Sequence, residues 1–541
     1  MRRYSVDFDD ILEELGEIGT FQIFIYGLLC LPVLFSASGN MSYVFTAGVP
    51  EYRCLIPECE DQLDTSYNVP WMKWAIPNKI SEDQVIGVKT DPCSRYIHEN
   101  ESSEFNSTVC TEKSFTNTTV ACSELIFDEN ERTVVNDFNI TCLENQWKIY
   151  LVGTIHFAGI LVGTLVSGIL ADWFGRKLIF IFCICLMSVT GTLQVLSPDY
   201  MTFVLFIFMN SVGTAGVFPL ALVLVVEMAG KKNREASAIV LNYFFAIGEA
   251  IVALIAWYSR DWVYVQLIVS TPALLFVGYY WIIPESVQWL LANGKKAEAK
   301  QVILKVAKIN KVTISNSLKD YLDKMSVIKD GEPDSQREDT LSIIKQMMKS
   351  RKLVIRFMLV IFIWGVITFV FYGLSVNSTS LGGNKYLNFA LVSLVEIPGF
   401  TISWICIRKL GRRISLAGSL LLCGVTCTLT IFINTVTSNW AVATMFLVGK
   451  LGATSASGVI YVYSAEIIPT VIRSGGVGTA SAVARIGAIL APYAPFLSLF
   501  YNPLPMIVFG GLAISAGILA MNLPETRGIK LPETVEEAIN I

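Results

Sequence analysis

The stretch Gly168-Ile-Leu-Ala-Asp172-Trp-Phe-Gly175-Arg176-Lys177 ends one long apolar run and opens the next. A shorter version of it returns as Arg408-Lys-Leu-Gly411-Arg412-Arg413. Two more patterns return with it. Glu227 and Arg234 are echoed by Glu466 and Arg473, and Pro284-Glu285-Ser286 by Pro524-Glu525-Thr526. The offsets (Gly175 to Gly411, Glu227 to Glu466, Pro284 to Pro524) are 236, 239 and 240 residues. Three echoes at one offset, all at the ends of apolar runs, mean a duplicated unit.

The runs around these echoes read as membrane spans. Hydrophobic residues make up 53% of the 541, charged residues only 16%, and the mean hydropathy is +0.54. A soluble chain has no use for so much apolar surface, whereas one span takes about 20 apolar residues to cross roughly 30 Å of hydrocarbon. The pattern predicts twelve spans, at 20–44, 148–171, 178–197, 201–226, 236–258, 262–283, 353–376, 386–407, 414–434, 439–464, 475–499 and 504–522. The acidic start, with Asp7, Asp9 and Asp10, is not a cleavable signal, and the first run is long enough to stay in the membrane. Six spans fall in each copy of the repeat, so the expected fold is all-α, two six-helix halves.

Orientation follows from charge. Arg176, Lys177, Lys231, Lys232, Arg234, Arg408, Lys409, Arg412, Arg413 and Arg473 all fall on one side, which the bias of basic loops makes cytosolic. On the other side lies the segment 45–147, with Cys54, Cys59, Cys93, Cys110, Cys122 and Cys142 and the sequons at Asn100, Asn106, Asn117 and Asn139. Six cysteines and four sequons in one polar loop argue for a disulfide-bonded, glycosylated extracellular domain. Three disulfides are expected, and the spacing leaves all fifteen pairings open. The remaining cysteines lie in apolar runs and read as small buried side chains. The expected order is a cytosolic start (1–19), span one (20–44), the extracellular domain (45–147), spans two to six (148–283), a cytosolic helical loop (284–352), spans seven to twelve (353–522) and a cytosolic tail (523–541). Both termini face the cytosol, and the plasma membrane is the expected location.

These features, taken with several local motifs, resemble the organic cation, anion and zwitterion transporters of solute carrier family 22, within the major facilitator superfamily. The resemblance runs almost end to end. It rests on Asp9-Asp-Ile-Leu-Glu-Glu-Leu-Gly16, on the ectodomain ending in Asn139-Ile-Thr-Cys142, and on the turn motif quoted above. It continues in Ile283-Pro-Glu-Ser-Val-Gln-Trp-Leu290, Glu396-Ile-Pro398, Ala465-Glu-Ile-Ile-Pro-Thr-Val-Ile-Arg473, Leu523-Pro-Glu-Thr526 and Leu531-Pro-Glu-Thr534. The stretch from Tyr372 to Asn384 is similar to the insect members called organic cation transporter proteins. The resemblance implies a major facilitator fold and transport by alternating access, with the site between the halves. Gln288 stands where the family's loop motif has Arg. Arg485 stands where the classical cation subgroup has Asp, and Ala484-Arg485-Ile486-Gly487 looks instead like the organic-anion and carnitine subgroups.

Charged groups deep in a span are costly and so mark function by default. Four stand out: Glu249, Glu396, Lys450 and Arg485. Neutralising one another across helices is the plain alternative. In the functional reading Arg485 forks onto a substrate carboxylate, while Glu396 or Glu249 balances an ammonium group. Both signs together suit a zwitterion of the carnitine type or an organic cation. If Arg485 and Lys450 serve an anion instead, the chain is an organic-anion exchanger. Phe371 and Tyr372 fall at the position that the resemblance assigns to substrate aromatics, and Tyr243, Phe244, Phe245, Tyr461 and Tyr463 are further candidates for cation–π contact. His156 is either a proton relay or a hydrogen-bonded core residue. The repeated charges Asp172, Arg176, Glu227, Arg234, Arg412, Glu466 and Arg473 are expected to gate the cytosolic side by pairing and separating; the alternative is that they anchor helix ends at the lipid headgroups.

Other classes find little support. There is no Walker motif, so no direct ATP drive. Two histidines and no zinc spacing make a metal site improbable, no cofactor is implied, and a net charge of −4 gives no footing for nucleic acid. The expected partners are a small organic ion and the lipid bilayer, with either Na+ or H+ as coupling ion. A non-transporting receptor would have no need of a duplicated gating apparatus, and a sugar facilitator would leave the buried charges unexplained.

Overall fold

The computed structural model describes residues 12–16, 19–60, 66–79, 89–98, 110–228, 230, 233–315, 318, 349–433, 439–469, 473–498, 500–529, 532 and 535–540. Among them eleven helices are long and apolar enough to cross a membrane. In chain order these are α1 (Thr20–Thr46), α2 (Glu144–Phe174), α3 (Arg176–Leu196), α4 (Tyr200–Met228), α5 (Arg234–Ser259), α6 (Trp262–Ile282), α7 (Arg351–Ser380), α8 (Lys385–Leu410), α9 (Arg412–Thr430), α10 (Trp440–Ile467) and α11 (Gly476–Leu497). The last apolar helix, α12 (Leu504–Ala520), is shorter. At 1.5 Å per residue its 17 residues span about 26 Å, just under the usual hydrocarbon thickness. Among the described residues, eleven of the twelve expected spans coincide with helices long enough to cross, and α12, over the twelfth, is shorter than that.

Two apolar cores form separately. One joins α1, α3 and α4 with the loop helix Lys296–Asn310; the other joins α7, α9, α10 and α12. A third core lies between the halves, where Tyr43 and Phe157 from the first meet Phe371, Tyr372 and Phe389 from the second. Large apolar side chains such as Phe182, Leu205, Leu275 and Leu429 point outward, as a surface solvated by lipid requires. Asn310 ties the loop helix to the start of α1: its side chain accepts from the Phe21 amide (3.0 Å) and donates to the Leu15 carbonyl (3.1 Å).

The repeated motifs turn out to be parts of one device, built twice. Gly175 and Gly411 sit between consecutive helices at φ 110°, ψ 147° and φ 92°, ψ 173°, a region that only glycine occupies without strain. The carboxylate of Glu285 packs into the first turn and accepts from the Lys177 amide (3.1 Å); that of Glu525 accepts from the amides of Arg412 (2.9 Å) and Arg413 (3.1 Å). Unpaired amides and a partial positive charge at a helix start favour an anion there. The neighbouring hydroxyls then reach the α4 and α10 glutamates: Ser286 donates to Glu227, and Thr526 to Glu466 at 2.6 Å. Glu227 pairs with Arg176 at 3.3 Å and Glu466 with Arg412 at 2.7 Å, while Asp172 lies 3.6 Å from Arg176. Each network closes within its own half.

Of the repeated charges, Glu227 and Glu466 thus pair with the arginines that open α3 and α9. Arg234 Nε donates to the Val226 carbonyl at 3.3 Å, and the side chain of Arg473 lies outside the described residues. Several contacts among the described residues bridge the halves. At the basic end Glu235 pairs with Arg408 at 2.8 Å. At the opposite end Glu131 pairs with Lys385 at 2.5 Å and accepts from Tyr386 (3.1 Å). Between these, Tyr243 of α5 shares a hydrogen bond with Thr401 of α8, and Thr154 of α2 donates to the Ile489 carbonyl of α11.

The polar segment between α1 and α2 holds three two-stranded antiparallel sheets: Tyr52–Cys54 with Leu125–Phe127, Asn78–Lys79 with Lys89–Thr90, and Ser94–His98 with Phe115–Ala121. Disulfides join Cys54 to Cys122, Cys59 to Cys110 and Cys93 to Cys142, choosing one pairing of the fifteen. Arg53 is fully buried there; it pairs with Glu60 at 2.5 Å, donates to the Tyr67 and Ser66 carbonyls, and lies over the Trp71 ring. Asn117 and Asn139 are exposed, while Asn100 and Asn106 lie outside the described residues.

The two glycine turns carry a prediction. A Cβ at Gly175 would lie 2.4 Å from Glu285 Oε2, and one at Gly411 2.7 Å from Glu525 Oε2. Gly175→Ala and Gly411→Ala are each expected to destabilise their half by about 1–3 kcal/mol from backbone strain alone, with further loss from the displaced carboxylate. Thermal unfolding of the purified protein in detergent measures this; a substitution that leaves the melting temperature unchanged would show that the cap does not hold the turn.

Candidate functional site

The four intramembrane charges all lie well inside their helices. Each lies at least nine residues from either end of its helix, which at 1.5 Å per residue is about 13 Å. Glu249, Glu396 and Lys450 are fully buried.

Glu396 owes its position to a break in α8. That helix is two segments, Lys385–Leu394 and Glu396–Leu410, separated at Val395. Pro398 has no N–H to give the Leu394 carbonyl, so the regular ladder cannot pass. Glu396 thereby falls in the first turn of the second segment, where the helix dipole favours a carboxylate. Gly399 lets α10 approach closely: a Cβ there would meet Thr454 at 2.9 Å. Lys450, one turn earlier on α10, reaches across to Glu396.

The Lys450 ammonium is held by one ion pair and two hydrogen bonds, beside an aromatic ring. It stands 2.8 Å from Glu396 Oε1, donates to Ser375 Oγ (2.8 Å) and to the Phe371 carbonyl (3.2 Å), and sits 3.3 Å from the centre of the Phe371 ring. Glu249 of α5 is equally buried. Neither of its oxygens, both buried, has a hydrogen-bond donor.

Arg485 stands apart from this cluster, on α11. Its Nη1 donates to the Tyr372 hydroxyl at 3.3 Å, and its buried Nε has no hydrogen-bond partner. Among the described residues no carboxylate pairs with it. The Tyr372 ring lies 4.6 Å from that of Phe157 and 5.2 Å from that of Phe371. Tyr372 therefore links the guanidinium to the aromatic patch beneath Lys450. The structure thus links Arg485, Tyr372, Phe371, Lys450 and Glu396 in one chain of contacts, with both charge signs around two aromatic rings.

The other candidates lie elsewhere. Tyr463 is buried, but its hydroxyl donates to the Pro524 carbonyl near the basic end. Tyr461 is half exposed and edge-on to Trp364. Phe244 and Phe245 pack on the first half's core. Both ring nitrogens of His156 are engaged, Nε2 with Asn40 (3.1 Å) and Nδ1 with Ser211 (2.7 Å), the arrangement of a hydrogen-bonded core residue. Sequence reading missed Ser375 and Tyr43. Ser375 follows Phe371 by one helical turn, so its shared face was there to be found. Tyr43 is buried with an unpartnered hydroxyl beside His156 and Phe157, and nothing in its local sequence sets it apart.

Known proteins agree with this architecture. The family described as sugar (and other) transporter matches residues 103–538. The organic cation transporter protein of Drosophila melanogaster is 33% identical over 98% of this chain and 94% of its own. The mouse organic cation/carnitine transporter 2 is 30% identical over 99% and 94%, and mouse solute carrier family 22 member 3 is 32% identical over 98% and 95%. The chain belongs to the sugar (and other) transporter family, and within it to solute carrier family 22. Among solved structures, the inward-open xylose transporter XylE of E. coli superposes with a TM-score of 0.56 over 72% of this chain and 89% of its own, at 16% identity. That likeness establishes the major facilitator fold. This member of solute carrier family 22 is accordingly a transmembrane transporter and not an enzyme.

Breaking the Lys450–Glu396 pair tests how the site is balanced. Lys450→Met strands a buried carboxylate and is expected to lower stability by about 3–5 kcal/mol. Lys450→Met with Glu396→Gln removes both charges and should recover most of that loss. Melting temperatures of the two purified variants decide it; a double variant no more stable than the single would mean that the loss is one of packing.

Proposed function

We propose that this transporter carries small organic ions across the plasma membrane, with zwitterions of the carnitine type and organic cations as its substrates. The observation that carries this reading is the free guanidinium of Arg485, joined through Tyr372 to a patch that also holds two carboxylates. An intramembrane Arg without a carboxylate partner is an unfilled anion site. Across Tyr372 and Phe371, Glu396 and Glu249 supply the opposite sign, and the aromatic rings offer a face for a quaternary ammonium. A carnitine-like molecule, with one charge at each end, matches that distribution. The names of the relatives, organic cation and organic cation/carnitine transporters, support the same class.

In this reading the site opens alternately to the two sides as the halves rock. The basic end, with the loop 284–352 and both termini, faces the cytosol, and the segment 45–147 with its sequons faces outward. Opening toward the cytosol must separate Glu235 from Arg408, and opening outward must release Glu131 from Lys385 and Tyr386. The Glu227–Arg176 and Glu466–Arg412 networks keep each half rigid while it moves. The second reading is an organic-anion exchanger, which the unpaired Arg485 also favours; there the carboxylates would serve only Lys450.

Uptake of labelled carnitine, tetraethylammonium and glutarate by cells expressing the chain separates the two. Carnitine uptake should fall at least about tenfold in Arg485→Ala, as expected for a lost buried charge contact of about 2 kcal/mol or more, with tetraethylammonium much less affected. Surface biotinylation normalises for delivery. Glutarate uptake that depends on Arg485, with no carnitine uptake, would establish the exchanger instead.

A further inference from the structure

Tyr43 carries a polar group for which the described residues provide no partner. It lies near the end of α1 that leads into the disulfide-bonded segment, it is 8% exposed, and its buried hydroxyl makes no hydrogen bond. The imidazole of His156, 5.2 Å from its ring, cannot serve, because Asn40 and Ser211 engage both nitrogens. The hydroxyl-bearing edge of the ring faces Gly153, which has no side chain, and Pro492, which has no N–H. A Cβ at Gly153 would lie 2.9 Å from Tyr43 Cε2 and 2.7 Å from Pro492 Cγ. Beyond Tyr43 the end of the bundle is closed by Phe45, stacked on Tyr386 and edge-on to Phe389. A phenylalanine would fill the same space and leave no buried hydroxyl unmet, which is the less costly arrangement. The position of this hydroxyl relates it to the substrate site. Tyr43 and Tyr372 both pack on Phe157, with ring centres 5.9 and 4.6 Å from its own. The Tyr372 hydroxyl takes the Arg485 guanidinium, and that of Tyr43 takes nothing. Pro492 follows Arg485 by seven residues on α11, which is two turns, or about 10 Å, along nearly the same face.

We infer that the Tyr43 hydroxyl is a third recognition point, which hydrogen-bonds to a hydroxyl carried between the two charged ends of the substrate, so that the site selects hydroxylated zwitterions over their deoxy counterparts. The inference rests on the zwitterion reading and deepens it. In that reading Arg485 takes the carboxylate, and the patch of Phe371 and Glu396 takes the ammonium. Those two contacts fix the axis of the substrate and leave it free to turn about that axis. A contact off the axis stops the turning. Three different contacts also tell a chiral centre from its mirror image, which two cannot do. The Tyr43 hydroxyl is already withdrawn from water, so a bond to it costs the protein no further desolvation. A site built to hydrogen-bond a substrate hydroxyl discriminates against the analogue that lacks it, because its own buried group is then left unmet.

Cells expressing the full chain provide the test, with two labelled betaines as probes: carnitine and γ-butyrobetaine, which differ by one hydroxyl. At low and equal concentrations carnitine uptake should exceed γ-butyrobetaine uptake by about tenfold, the ratio that one neutral hydrogen bond supports. One mirror form of carnitine should also be taken up faster than the other. Tyr43→Phe keeps the ring and its packing and removes only the hydroxyl. It should bring both ratios close to one, through a fall in carnitine uptake. Each ratio is taken within one cell population, so delivery to the surface cancels. Should the variant not reach the surface, the wild-type ratio of the two betaines decides by itself. A wild-type ratio near one, or a tenfold ratio that Tyr43→Phe retains, overturns the inference and leaves the zwitterion reading standing. Uptake of neither betaine overturns both.

Discussion

A charge held away from water must find its opposite, and much of this structure follows from that constraint. Inside the bundle a lone carboxylate or ammonium would cost more than a fold of marginal stability can carry. Lys450 is therefore surrounded by acceptors on α7 and α8, and Glu396 lies at a helix start with an ammonium beside it. At the basic end the same requirement takes another form. Glu285 and Glu525 fill the unpaired amides that open α3 and α9, and their neighbours reach on to Glu227 and Glu466.

The two settings differ in what they leave over, and the difference separates scaffold from site. At the basic end every carboxylate of the duplicated networks has partners within its own half, so these networks close and can move as rigid units. In the centre the accounts do not close. Among the described residues no carboxylate pairs with Arg485, and neither Glu249 nor Glu396 accepts a hydrogen bond. Unfilled valences of opposite sign, set around Phe371 and Tyr372, are what a transporter for a small charged molecule must keep available. A fully satisfied centre would bind nothing.

Duplication explains why one end is so regular and the other is not. The Gly-Arg turns and the Pro-Glu-Ser/Thr caps occur in both halves because both halves face the same local problem, namely starting a helix next to an arginine that needs a carboxylate. The central residues have no such counterparts. Glu249, Glu396, Lys450 and Arg485 come from α5, α8, α10 and α11, three of them from the second half, so the site is asymmetric within a nearly symmetric frame. Specificity for one charged end over the other needs that asymmetry.

The sequence by itself determined the class of the protein, the number of its halves, the disulfide-bonded segment and the identity of the central charges. Those are written in apolar run length, repeat offset, cysteine clustering and the rarity of ions in a span, each of which is local or periodic and survives without coordinates. The tertiary structure alone decided who pairs with whom. The spacing of Glu227 and Arg234 gave no sign that the glutamate turns to Arg176, because that contact runs between the ends of α3 and α4, and one disulfide pairing among fifteen was chosen by the meeting of segments far apart in sequence. Tyr43 and the Glu131–Lys385 bridge were equally invisible, since a residue becomes part of a site through neighbours that lie far away in sequence. Pairing is a property of three-dimensional distance, and in a bundle of long helices a shift of one turn exchanges every partner.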